Sequence, residues 1–138
     1  MRFVRSILAA AFVAGISATS ALAAGNLNTG ATVVKIDMTA DKKFSTNAIE
    51  METGKGYNVD ITKIGGGEYK FYAPDLFNNS YIFQIVIAGK EIKTRDIDFL
   101  EYDDAGTIRV SLVPNRIGSF KYWVAGEEGT MSGTITVK

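Results

Sequence analysis

The chain has 138 residues, with 15 basic and 15 acidic side chains, no histidine and no cysteine. A balanced charge argues against nucleic acid as a partner, since it demands a basic surface. Without cysteine there is no disulfide, and without histidine or cysteine there is neither an imidazole base nor a thiolate nucleophile.

Residues 1–23 read as an export signal. Arg2 and Arg5 form its positive start, Ile7 to Ile16 its Ala-rich apolar core, and Ala21-Leu22-Ala23 its cleavage site. The apolar core is too short to span a bilayer, and no cysteine follows to carry a lipid, so no membrane anchor is expected. Cleavage leaves residues 24–138, a single-domain length of 115 residues with 13 basic and 15 acidic side chains. The resulting net charge of −2 also disfavours an anionic membrane face. The mature chain is expected in the periplasm, held together by packing alone.

Ala24 to Gly30 reads as a lead-in, Ala31 to Met38 as an edge strand and Thr39 to Lys43 as a polar connector. After the Gly54-Lys55-Gly56 turn, Tyr57, Val59 and Ile61 alternate with polar residues, the period of a half-buried strand. Gly65-Gly66-Gly67 reads as a hairpin end. It is no phosphate cradle, since no Lys-Ser/Thr and no helix follows it. Phe71 to Phe83 reads as a loop, marked by Pro74, Asp75, Asn78, Asn79 and Ser80. The continuous run Ile85-Val86-Ile87 suggests a strand covered on both faces. Asp103-Asp104-Ala105-Gly106 reads as a hairpin turn and lacks the spaced oxygen ligands of a calcium loop. Strict alternation returns at Ile108, Val110 and Leu112, at Phe120, Tyr122 and Val124, and at Ile135 and Val137. Seven to eight strands with turns this frequent, and no amphipathic helix, predict a single all-β domain, a sandwich or barrel.

The end of the chain carries a resemblance. Val113-Pro114-Asn115-Arg116-Ile117-Gly118-Ser119-Phe120-Lys121-Tyr122-Trp123, followed by a short loop and Gly133-x-Ile135-x-Val137, is similar to the end of the cupredoxins. Phe44-x4-Ile49-x4-Gly54 resembles their opening strand and turn, so the resemblance spans residues 44–138. It implies a Greek-key β-sandwich. It also implies that Val124 stands where the family's Cys belongs, Glu127 where its second His belongs and Met131 where its axial Met belongs. The first His is expected just before the strand at Ile85–Ile87, where Tyr81, Ile82 and Phe83 stand. A type 1 copper site needs two imidazoles and one thiolate. Neither residue type occurs in the chain, so no copper cofactor of this kind is expected.

Val124 and Met131 are expected to fill the metal position with apolar bulk. Met131 beside Glu127 and Glu128 would mix soft and hard donors, a poor set for any common metal. The serines are scattered and have no base, so no enzyme is expected. The resemblance also implies that the Phe71–Phe83 segment lies at the metal end, close to the Pro114 loop and the final ligand loop. Phe77 and Tyr81 there either dock a partner or plug the core, and strand alternation turns Trp123 outward. The expected function is a copper-free cupredoxin-like module that binds a periplasmic protein through Phe77, Tyr81 and Trp123. The alternatives are weak copper or iron handling through Met131, Glu127 and Glu128, and small-ligand binding in the vacated metal cavity.

Overall fold

A computed structural model of the protein describes residues 30–138, and the expected export signal lies outside the described residues. The strands are β1 (Thr32–Met38), β2 (Ala48–Met51), β3 (Tyr57–Lys63), β4 (Tyr69–Tyr72), β5 (Ser80–Ile87), β6 (Lys90–Ile92), β7 (Leu100–Tyr102), β8 (Gly106–Pro114), β9 (Gly118–Val124) and β10 (Ser132–Val137). Among the described residues one helix, α1 (Pro74–Asn78), joins β4 to β5. The fold is an all-β sandwich of two five-stranded sheets, ordered β1-β3-β8-β5-β6 and β2-β10-β9-β4-β7. The expected seven to eight strands become ten, because β6 and β7 are each only three residues long and too short to show a period.

Period-two patterning sets the layers. β3 buries every second residue, from Tyr57 through Val59 and Ile61 to Lys63. The charged end of that row is satisfied, since Lys63 Nζ donates to the Asp103 carbonyl at 2.6 Å. Consecutive strands mostly change sheet, and only β5–β6 and β9–β10 are hairpins. The Gly65–Gly67 and Asp103–Gly106 segments are therefore crossings between sheets rather than hairpin ends. Ala88 and Gly89, both at positive φ, close the β5–β6 hairpin in the conformation such two-residue turns require. Ile85 is buried, but Ile87 is 37% exposed, so this run is not covered on both faces. α1 was not foreseen. Five residues give no helical period, and Pro74 at its first turn reads in sequence only as a loop marker.

The centre is aromatic. Tyr122 of β9 is fully buried, with the Phe44 ring 5.0 Å and the Phe71 ring 5.8 Å from its own. Its hydroxyl donates to the Thr46 carbonyl at 2.6 Å. Three more buried tyrosines end on backbone. Tyr102 donates across the sandwich to the Ile61 carbonyl at 2.8 Å, and Tyr69 to the Thr39 carbonyl at 2.9 Å. Tyr57 accepts from the Glu52 N–H at 2.8 Å. Directly across from Tyr122 on β10 stands Gly133, where a methyl group would overlap the Tyr122 ring.

Two outcomes follow. Gly133→Ala is expected to destabilise the fold by about 1–3 kcal/mol, the usual cost of overpacking, read from denaturant midpoints. Burial pushes the Tyr122 hydroxyl up to about 12 and raises Tyr102 as well. Both native groups then hold their protons above pH 10, where the unfolded chain releases them. Their stabilisation is complete below pH 10 and is lost as pH rises toward 12 and beyond. Each contributes a slope of about −1.4 kcal/mol per pH unit in that window. Tyr122→Phe should flatten the alkaline limb of a circular-dichroism stability profile.

Candidate functional site

The loop that follows β9 returns directly to β10 and is held by its own backbone. Val124 N–H donates to the Met131 carbonyl at 3.0 Å, and Glu127 N–H to the Val124 carbonyl at 3.1 Å. Met131 N–H donates to the Glu127 carbonyl at 2.7 Å, and Gly126 takes the positive φ of 80° that the turn needs. Val124 and Met131 are both within the core, at 1% and 0% exposure. Glu127 turns away from them and forms an ion pair with Lys42. Glu128 accepts from the Gly126 N–H at 3.0 Å. The three positions that resemble metal ligands thus do different work. Two pack inward and one reaches outward.

Opposite the loop stands β4. Phe71 pairs with Val124, and Ala125 N–H donates to the Lys70 carbonyl at 3.0 Å. Tyr69, two residues before Phe71 and equally buried, shares this inward row. Its bond to Thr39 ties down the Thr39–Lys43 connector, which also carries Lys42 to Glu127. Lys42 stands at φ 59°, an uncommon backbone for a side-chain-bearing residue. Sequence reasoning missed both Lys42 and Tyr69. A lysine in a polar connector gives no signal, and β4, which carries Tyr69, is placed by pairing with strands distant in sequence, Tyr69 with Tyr102 and Phe71 with Val124.

The expected position of the first ligand is corrected. β5 belongs to the other sheet, and Ser80 at its start pairs with Pro114. Pro114 leads into Gly118, the beginning of β9, whereas Val124 is its end, about 20 Å further along a strand. Tyr81, Ile82 and Phe83 therefore lie near the Pro114 loop, as expected, but not near Val124 and Met131. Nor is the Phe71–Phe83 segment one loop, since it runs from β4 through α1 into β5. Phe77 lies on α1 at 3% exposure, so it plugs the core rather than offering a contact surface. Tyr81 is 54% exposed on the outer side of β5. A bulge between Ile82 and Gln84 leaves Phe83 without a partner on β8, and its ring stacks on Tyr81 at 6.4 Å. Trp123 is half-buried on the outer side of β9, as strand alternation predicts, and stacks on Tyr72.

The Glu68, Glu101 and Asp103 carboxylates approach within 4.8 Å of one another. Lys70 pairs with Glu68 at 3.2 Å and Glu101 at 3.1 Å, which lowers the Glu68 carboxyl through its bond to that ammonium. This is a solvated ion-pair network.

No protein-family model and no curated protein matches the sequence. Solved structures do. Auracyanin A of Chloroflexus aurantiacus, a "blue" copper protein, is 11% identical with a TM-score of 0.54, over 79% of this chain and 100% of its own. The multicopper oxidase of Pediococcus acidilactici is 13% identical with a TM-score of 0.60, over 97% of this chain and 30% of the oxidase. That of Campylobacter jejuni is also 13% identical, with a TM-score of 0.57 over 78% of this chain and 30% of the oxidase. The chain spans less than a third of either oxidase. These likenesses establish the cupredoxin fold. The residues present do not fit its type 1 copper: Val124 supplies no donor, Glu127 is committed to Lys42, and the chain has no imidazole or thiolate.

Met131→Ala is expected to cost about 2–5 kcal/mol, as buried large-to-small changes do. Copper(II) added to the native protein should leave the thermal midpoint unmoved and produce no intense visible band. A blue chromophore, or a large copper-dependent rise in midpoint, would contradict the packing role.

Proposed function

We propose that the chain is an exported, copper-free cupredoxin-like module that acts by binding another protein in the periplasm, and not as an enzyme. The observation that carries this reading is Tyr81. It is a large aromatic, more than half exposed, stacked on Phe83 and standing between two clefts that both include Arg95. One of these clefts, about 320 Å³, is also lined by Asn78, Ser80 and Asn115. Aromatic residues and arginine dominate the energetics of protein interfaces, and clefts beside an anchor admit a partner's side chains. Ile117, in the loop after Pro114, is a further exposed apolar side chain, at 68%.

The proposed contact surface lies away from the degenerate ligand loop. Tyr81 and Trp123 lie on the outer faces of different sheets, so one small partner does not cover both. Export rests on Arg2, Arg5, the apolar run to Ile16 and the Ala21-Leu22-Ala23 site. Metal handling through Met131, Glu127 and Glu128 is the weaker reading, because Met131 is fully buried while Glu127 pairs with Lys42 and Glu128 accepts from the Gly126 N–H.

Paired variants test the proposal. Tyr81→Ser should leave the melting temperature nearly unchanged and weaken partner capture by at least tenfold, about 1.4 kcal/mol. Phe77→Ser should instead lower stability by about 3–5 kcal/mol and spare capture by the folded fraction. A photo-crosslinking residue at position 81, used in intact cells, reads the partner directly. Crosslinking no greater than at exposed Thr107, with capture unaffected by Tyr81→Ser, would reject this surface.

A further inference from the structure

The outer face of the second sheet carries a row of three aromatic rings. Trp123 of β9 pairs with Tyr72 of β4, their rings 5.6 Å apart and only 8° from parallel. Tyr72 stacks in turn on Phe99 at 5.2 Å. On its other side, Trp123 pairs with Ser132 of β10, with Gly133 and Thr134 following. Tyr72 stacks on one face of the half-buried indole, and on its other side the β10 neighbours are small and line a cleft with it.

That cleft, of about 440 Å³, is lined by Trp123, Asn47, Lys121, Glu128, Ser132 and Thr134. Tyr122 and Gly133 complete the lining, and no Leu, Ile, Val or Met belongs to it. The Tyr122 side chain faces the core, so the indole is the main apolar surface of the cleft. Around it stand an amide, two hydroxyls, one ammonium and one carboxylate. Lys121 forms no ion pair among the described residues, and the carboxylate of Glu128 accepts from the Gly126 N–H.

We infer that this cleft binds a neutral saccharide, with a pyranose ring lying on the cleft side of Trp123. The chemistry selects that class. An aromatic face is electron-rich and attracts the weakly positive C–H groups that a pyranose presents on one side. The hydroxyls on the ring edge both donate and accept, as do the groups around the indole. An aliphatic peptide side chain would find no aliphatic partner here. A nucleotide would bring phosphate to a site with one lysine and a glutamate beside it. The volume falls in the lower part of the range for small-molecule clefts, about 300–1,000 Å³, with room for a mono- or disaccharide. Tyr72 fixes the indole plane in advance, so little ordering is left to binding.

This inference is independent of the Tyr81 surface. Trp123 is the only tryptophan in the chain, so emission excited at the red edge, where tyrosine does not absorb, reports on this site alone. Cellobiose, maltose and N,N′-diacetylchitobiose serve as probes. At least one should change the emission saturably in the full-length mature protein. Ser132→Leu, an exposed change that fills the cleft, should abolish the response without moving the melting temperature. Asn47→Ala should weaken it about tenfold, and Tyr81→Ser should leave it unchanged. Absence of a saturable change with all three sugars up to about 10 mM, well above a weak Kd of ~1 mM, would overturn the inference. So would a response that persists in folded Ser132→Leu, or one given by a proline-rich peptide and by none of the sugars.

Discussion

The bond from the Tyr122 hydroxyl to the Thr46 carbonyl is the constraint on which the rest of the sandwich depends. The ring occupies the middle of the core between Phe44 and Phe71, so its oxygen has no water to turn to. Leaving such a buried hydroxyl unpaired costs about 1–3 kcal/mol. A carbonyl must therefore be drawn in from outside the sheet, and the segment between β1 and β2 supplies it. Gly133 is the counterpart on β10, since only a residue without a side chain leaves room for the ring. Once that segment is anchored, Tyr69 fixes its near end through Thr39, and Lys42 reaches Glu127. Tyrosines thus do the stapling in a chain that has no cysteine to do it.

Closure of the sandwich at the end of β9 follows from the same connections. In a metal site, ligand bonds tie a loop to a neighbouring strand and store binding energy there. Here the loop after Val124 is tied by four backbone hydrogen bonds of its own and by the bond from Ala125 to Lys70. Val124 and Met131 fill the space beneath it, each side chain contributing about 1.5–3 kcal/mol by burial. The closing geometry is therefore a property of packing. Glu127, freed from any inward role, instead joins two surface segments.

The sequence made some of this legible and hid the rest for physical reasons. Period-two alternation marks β3, β8, β9 and β10 because each has one face in the core. The register of Val124 and Met131 is readable because the loop between them is short and local. Which sheet a strand joins is a different matter. Glycine-rich turns announce that the chain bends, not whether it pairs with the strand it has left or crosses to the other sheet. That is why Gly65–Gly67 and Asp103–Gly106 read as hairpins and are crossings. The same non-locality misplaced the start of β5, since the pairing of β4 with β9 joins Phe71 to Val124 across the sequence. Phe77 was ambiguous because α1 has one turn, too few residues to separate a buried face from an exposed one. Its burial is decided by what packs against it.

The two outer faces differ in how fully their side chains are already paired. On the first sheet, β3 and β8 cross-pair their outward side chains almost completely. Arg109 donates twice to Asp60, at 2.6 and 2.8 Å, Thr62 and Thr107 share a bond of 2.8 Å, and Ser111 donates to Asn58 at 2.7 Å. A ladder satisfied in this way offers an incoming partner little beyond the loss of its own bonds. Aromatic rings behave differently, because stacking on one face leaves the other available. Phe83 and Tyr81 at the margin of that ladder, and Trp123 at the end of its row on the second sheet, are rings of this kind. Both proposed contacts draw on rings whose neighbours hold them still and leave part of them exposed.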